Sequence, residues 1–286
     1  MARHPLDSFL DKLNRAEDHL KAIRAAVREL GQIDFYDLRT ELDYKRRPVA
    51  RFRNVRRPNL LDVDIPLLIG DCVYNYRSAL DHLAYALAAA YTDPLPDSWA
   101  KSSAFPIFNS GTKYRRRASR GAAWKMRGMS RFARGAIERV QPYHRRKHPP
   151  LRFLWILEEL SNIDKHRFIH VTGAVAAEGS GEITGANAVR QIKIRQFVRP
   201  IEEGARFQVI ETGLPAPAEV QVKADITPDV IFDVRAELRL VRGHYVAETL
   251  QAVREVIWRF ALVSLSREIA RRFGSVIEVT QTPAPR

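Results

Sequence analysis

Two short stretches of the chain hold the residue types that proton transfer or phosphate chemistry needs. The first is Asn75-Tyr76-Arg77-Ser78-Ala79-Leu80-Asp81-His82, and the second is Asn162-Ile163-Asp164-Lys165-His166-Arg167. An imidazole changes charge near neutral pH and can move a proton. A guanidinium presents a fork of donors that matches anionic oxygens. Arg77, Asp81 and His82 are therefore the candidate catalytic residues, with Asn75, Asn162, Asp164, Lys165, His166 and Arg167 as supporting groups. A metal reading would draw on His82, His166, His170, Asp81 and Asp164. It is set aside because His166 and His170 straddle an expected helix–strand transition, where helical ligand spacing is lost. No metal and no other cofactor is expected. Neither a strand–turn–helix elbow for a nucleophilic serine nor a glycine-rich phosphate loop is present in the sequence.

Both stretches fall on predicted helices. From about Ile69 to Tyr91, one face at about 100° per residue carries Val73, Tyr76, Leu80, Leu83, Ala84 and Leu87. Cys72, Ala79 and Ala86 form a second face of small residues. A helix apolar or small on most sides lies at the centre of its bundle. Asn75, Arg77, Asp81 and His82 are then expected to be at least partly buried, and buried polar groups need partners. Arg77 and Asp81, four apart, can pair with each other. On the helix from Leu151 to about Asp164, the expected core stripe is Phe153, Ile156, Leu157, Leu160 and Ile163. Asp164 and Arg167 continue that stripe, while Asn162 and His166 share another face with Trp155 and Glu159. Two ionised side chains on a core stripe are costly unless paired. The expectation is that Asp164 and Arg167 meet Arg77 and Asp81 across the helix interface.

Elsewhere, Leu6 to Leu30 shows the seam spacing of a bundle helix, through Phe9, Leu13, Ala16, Leu20, Ile23, Val27 and Leu30. The basic segment 45–57, bracketed by Pro48 and Pro58, reads as a loop. Residues 100–112 also read as a loop, whose Ala-Phe-Pro-Ile-Phe patch packs on the bundle. A helix signal spans Met129 to Val140. After Arg167 the period changes, and strands are predicted over 168–176, 189–198, 206–211, 219–226 and 230–234. A long helix from His244 to about Phe273 closes the chain. The fold class is α+β, a mainly α-helical bundle with a small antiparallel β-sheet inserted before the last long helix. The expected organisation is a helical bundle with basic loops over 1–167, a β insert over 168–242 and a closing helix over 243–275.

Charge is distributed unevenly along the 286 residues. Of a formal net charge of +14, residues 45–57 supply +7 and residues 113–147 supply +12, which leaves −5 for the rest. Aromatic residues are interleaved with these cations: Phe52 in the first segment, and Tyr114, Trp124, Phe132 and Tyr143 in the second. Cations beside aromatics suit a phosphate backbone and unstacked bases. The expected nucleic-acid contacts are Arg46, Arg47, Arg51, Arg53, Arg115, Arg116 and Arg117, with RNA or another nucleic acid as partner. The single cysteine, Cys72, allows no intramolecular disulfide and suits a reducing compartment. No apolar leader follows Met1-Ala-Arg-His-Pro5, and the most apolar stretch carries Asp71, Arg77 and Asp81, so no membrane association is expected. The expected location is cytoplasmic.

Arg77-Ser-Ala-Leu-Asp-His82 is an Arg-x4-His motif on a helix, and in this it resembles the HEPN superfamily of helical ribonucleases. Over residues 65–170 the chain also resembles a group of bacterial proteins. These pair an Asn-x-Arg-Ser-x-Leu-Asp-His helix with an Asn-x-Asp-Lys-His-Arg segment, a likeness that brings no function with it. The HEPN resemblance implies metal-independent endoribonuclease activity. His82 would act as general acid or base on a ribose 2′-hydroxyl. Arg77, with Lys165 or Arg167, would stabilise charge on the scissile phosphate. It also implies a homodimer, since such sites are commonly built across two chains. Two other readings stand beside it. One is a non-enzymatic protein that binds nucleic acid or a partner, in which the Arg, Asp and His residues form a structural ion-pair network. The other is a small-molecule enzyme that uses Asp81, His82, Asp164 and His166 in a closed pocket.

Overall fold

The computed structural model describes residues 6–30, 36–42, 48–54, 64–116, 121–166, 169, 171–185, 188–194, 198–200, 206–211, 219–221, 224–233, 240–262, 265 and 271. The chain is mainly helical with antiparallel sheets, the α+β class expected. It divides into two compact units. One comprises Met1–Leu20, Gly70–Arg167 and Thr249–Arg286, and the other Lys21–Ile69 and Phe168–Glu248. Residues 21–69, expected with the bundle, thus group with the later strands.

The first unit is built on helices. Helix α1 (Asp7–Leu30) buries Phe9, Leu13, Ala16 and Leu20 in this unit. Helix α2 (Ile65–Tyr91) begins a turn earlier than predicted and buries every residue of the two expected faces. Its small-residue face permits close approach, and the Cys72 thiol donates to the Ala16 carbonyl at 3.4 Å. Burial pushes the Cys72 pKa strongly up, so the thiol stays protonated and is not a nucleophile. Short helices follow: α3 (Asp97–Ala100), α4 (Gly111–Tyr114) and α5 (Ala122–Lys125). Helix α6 (Arg131–Arg139) occupies the segment predicted as helical, with the Ser130 hydroxyl accepting from the Ala133 N–H as N-cap.

Helix α7 (Arg152–Asp164) ends where predicted, but its buried face is rotated. Leu154, Ile156, Leu157, Leu160 and Ser161 are buried, whereas Phe153 and Ile163 are only half-buried. The turn of the face brings Glu158, between Leu154 and Ser161 in helical spacing, towards the interior. Helix α8 (Val246–Val256) runs on as a wider-wound turn, Ile257–Leu262. Most of the predicted remainder of that helix, to about Phe273, lies outside the described residues. Arg254 Nε and Glu17 Oε2, 2.7 Å apart, tie α8 to α1.

The second unit contains two antiparallel sheets. Strands β1 (Tyr36–Leu42) and β2 (Pro48–Asn54) form a hairpin, and β6 (Arg206–Glu211) pairs with the free side of β2. Over residues 48–54 this corrects the loop reading of 45–57, whose remaining residues lie outside the described ones. Pro48 stands at the first residue of its strand, where no ladder donor has to be supplied. Pairing with β6, remote in sequence, then places a strongly basic segment in the middle of a sheet. The other sheet centres on β3 (Val171–Gly185), which extends nine residues past its predicted end at Ala176. It pairs with β4 (Ala188–Ile194), β5 (Val198–Pro200), β7 (Glu219–Gln221) and β8 (Ala224–Phe232). The six strands β3 to β8 lie between α7 and α8 in the chain, and β1 and β2 lie between α1 and α2. Among the described residues no helix is long and apolar enough to cross a membrane.

Candidate functional site

Arg77 is 9% exposed. Each of its three nitrogens donates within the protein. Nε donates to Glu158 Oε2 at 2.9 Å, Nη1 to Asp81 Oδ1 at 2.7 Å, and Nη2 to the Phe105 carbonyl at 2.9 Å. Asp81 Oδ1 also accepts from the Phe105 N–H at 2.9 Å. One turn of α2 thus satisfies both backbone groups of Phe105, a residue with no exposed surface. A loop can be buried only if its peptide groups find partners, and Arg77 with Asp81 provides them as a neighbouring strand would. The rest of the loop is held from the other side by Gln141, which is fully buried. Its Nε2 donates to Pro106 O at 2.8 Å and to Ile137 O at 3.0 Å, and its Oε1 accepts from the Phe108 N–H at 2.9 Å. The packing of the Ala-Phe-Pro-Ile-Phe patch seen in the sequence is therefore present, fixed by side chains that stand in for a sheet.

The expected partnership of Arg77 with Asp164 is not formed. Asp164 instead lies against Gly70. A Cβ built there would be 2.3 Å from Asp164 Oδ1. Helices α2 and α7 cross antiparallel, since Gly70 meets Asp164 while Arg77 meets Glu158. At 1.5 Å per residue, Asp164 lies about 9 Å along α7 from Glu158. Counting helical phase placed Asp164 on a reasonable side of α7, but not at the right height. The Asp164 carboxyl is held above the usual carboxylate range, first by desolvation and then by the charge of Asp71. Arg167, the other expected partner, lies outside the described residues.

The remaining candidates do not converge on one point. His82 is half-buried, with Nδ1 2.5 Å from Ser8 Oγ on α1. Asn75 is buried, and its Nδ2 donates to Asp71 O at 2.8 Å while Oδ1 accepts from Lys12 Nζ at 3.4 Å. Asn162, Lys165 and His166 are exposed. Two groups that sequence reasoning missed belong to the Arg77 cluster. Glu158 could have been found as an acid in step with Leu154 and Ser161. Lys125 carries no such signal, because α5 is too short to show a period. The Lys125 pKa is lowered by desolvation and then by the Arg77 charge, against which Glu158 and Asp81 act. Among the described residues no group of three or more His, Cys, Asp or Glu is arranged to hold a metal ion.

The second basic segment is placed differently from the Arg77 cluster. Of its cations, Lys113, Arg115, Arg116, Arg131, Arg134, Arg139, Arg145, Arg146 and Lys147 are exposed, and its one acid, Glu138, is half-buried. Arg115 approaches Glu138 at 3.8 Å, with side chains 69% and 42% exposed, a pairing worth little in water. The four aromatic residues separate into two pairs. Tyr114 is buried and packs edge-on against Phe108 and Tyr143, with ring centres 5.8 Å apart in each case. The half-buried Tyr143 also packs against His144. Desolvation raises the pKa of the Tyr143 hydroxyl to about 12. Trp124 and Phe132 remain open, at 41% and 55% exposure. Arg46, Arg47 and Arg117 lie outside the described residues. Arg51 and Arg53 belong to β2, and their side chains, like that of Phe52, lie outside the description.

Compared with known proteins, the chain is matched by no family model, no curated protein and no solved structure.

Proposed function

We propose that this protein binds nucleic acid through residues 113–147 and that its Arg-Ser-Ala-Leu-Asp-His helix is a structural clamp. The observation that carries the reading is the outward display of nine cations in that segment, with a single half-buried acid among them. Such a display attracts phosphates and releases their counterions on contact. The clamp supports binding without cleavage. Arg77 is 9% exposed and each of its nitrogens already donates within the protein, which leaves little of its guanidinium open to a scissile phosphate.

The test is a salt titration of binding to an RNA and a DNA oligonucleotide. The logarithm of the affinity should fall linearly with the logarithm of salt concentration. Each phosphate contact removed, as in Arg131→Gln or Arg134→Gln, should lessen that slope by about 0.7–0.9. Affinity that ignores salt would overturn the reading. The same RNA is incubated with chelator and with wild type, His82→Ala or Arg77→Ala protein. Equal recovery of intact RNA in all three is expected. Cleavage by wild type alone would restore the HEPN-like ribonuclease reading.

A further inference from the structure

We infer that the strand recognised is single, and that Trp124 is a base-stacking residue. This rests on the nucleic-acid reading above and adds a substrate class to it. The guanidinium carbon of Arg127 lies 3.5 Å from the centre of the Trp124 ring. Arg127 Nη2 is itself held by the Ser102 hydroxyl at 2.9 Å and the Ser98 carbonyl at 3.3 Å. One face of the indole is thus covered by a fixed cation, yet 41% of the residue remains exposed. An exposed indole offers a large flat apolar surface to a planar partner. Here the side chain is held in place by Arg127, so little entropy is lost when a flat partner lands on it.

Phe132 repeats the arrangement on α6, with 55% exposure and the Arg131 guanidinium 4.9 Å from its ring centre. Tyr114 and Tyr143, the other two aromatics of the segment, are consumed by packing against each other. Arg127 lies over Trp124 and the exposed Arg131 over Phe132, in a segment that displays nine exposed cations, and the partner that suits both features is planar and anionic. Unpaired bases on a phosphate backbone meet both conditions, whereas a duplex hides its base faces in its own stack.

The experiment compares full-length wild type, Trp124→Leu and Phe132→Ala. The probes are labelled oligouridylate, an abasic oligomer of the same length, an RNA duplex and polyglutamate. Wild type should prefer oligouridylate to the abasic strand, and its tryptophan emission should be quenched on binding. Trp124→Leu should weaken oligouridylate binding about 5- to 150-fold, abolish most of the quenching and leave abasic and duplex binding unchanged. Phe132→Ala should act in the same direction. Because Trp124 is surface-exposed, an unchanged circular dichroism spectrum is expected for its variant. Equal oligouridylate affinity of Trp124→Leu and wild type would overturn base stacking and leave the charge-based reading intact. Polyglutamate bound as tightly as oligouridylate would also overturn it. Binding of none of the probes by wild type would overturn both.

Discussion

Replacing Arg77 by leucine would remove the clamp while keeping much of the apolar stem of the side chain. Three acceptors would be left behind. The Phe105 carbonyl is buried and would lose its donor, at about 1–3 kcal/mol. Glu158, 20% exposed, would lose its charge partner. Asp81, 36% exposed, would turn partly to water but keep the Phe105 N–H. Removing one member of a buried ion pair costs about 3–5 kcal/mol, and the exposure of Asp81 pulls this case to the lower end, about 3 kcal/mol. At about 2–4 °C per kcal/mol for a unit of this size, the melting temperature should fall by about 6–12 °C. Urea unfolding followed by circular dichroism gives the free energy directly. The double variant Arg77→Leu/Glu158→Leu should recover part of the loss, because no unpaired buried carboxylate remains at that position. Arg77→Lys tests the geometry: one ammonium cannot replace a planar fork with three acceptors, so it should lose more than half of what leucine loses. A cost below about 1 kcal/mol for Arg77→Leu, or full stability of Arg77→Lys, would refute the clamp.

Gln141→Leu, which strands the Phe108 N–H and the Pro106 carbonyl, should cost roughly 2–4 kcal/mol by the same urea assay. Gly128→Ala should destabilise by about 1–2 kcal/mol, because φ is +82° there and the new Cβ would stand 2.7 Å from Leu95 Cδ1. In the second unit, desolvation raises the Asp229 carboxyl from 3.8 to about 6, against the pull of the Val230 N–H. The folded state therefore holds its proton longer than the unfolded chain. The stability due to that proton is complete below about pH 4 and is lost as pH rises through about 6. Asp229→Asn, whose amide oxygen can keep the Val230 contact, should flatten this dependence in thermal melts taken from pH 4 to 8.

The long helices were legible because burial imposes a period that no other element shares. Val73, Tyr76, Leu80, Leu83 and Leu87 mark the inner side of α2 unambiguously, and all are buried. The basic strand β2 was illegible because its place depends on backbone pairing with β6, remote in sequence, and not on an apolar pattern of its own. Gly179, Gly181 and Gly185 concealed the second half of β3, which ladders to β4 hold extended. At the candidate site, the Arg77–Asp81 pair followed from spacing alone. Its third partner did not. Which carboxylate of α7 faces Arg77 depends on the antiparallel height of one helix on another, and a single helix contains no record of that.

An arginine, a carboxylate and a histidine within one and a half turns are what phosphate chemistry would use, and equally what a buried loop needs. The difference lies in when the donors are engaged. A catalytic cation contributes through bonds that strengthen as charge develops in the transition state. Arg77 donates from all three nitrogens within the protein, and two of their acceptors are carboxylates. A phosphate arriving there would meet a guanidinium already paired with two carboxylates and almost closed to solvent, so it would gain little net stabilisation. Among the described residues, the exposed cations of α6 and its neighbours have few bonds to break: the long approach of Arg115 to Glu138 and the bonds Arg145 donates to Asn109 Oδ1 and the Pro142 carbonyl, none of them to a buried carboxylate. Water is their main competitor, and release of condensed counterions favours the phosphate. Within one chain, then, burial turns one set of basic residues into architecture and exposure leaves another free to bind.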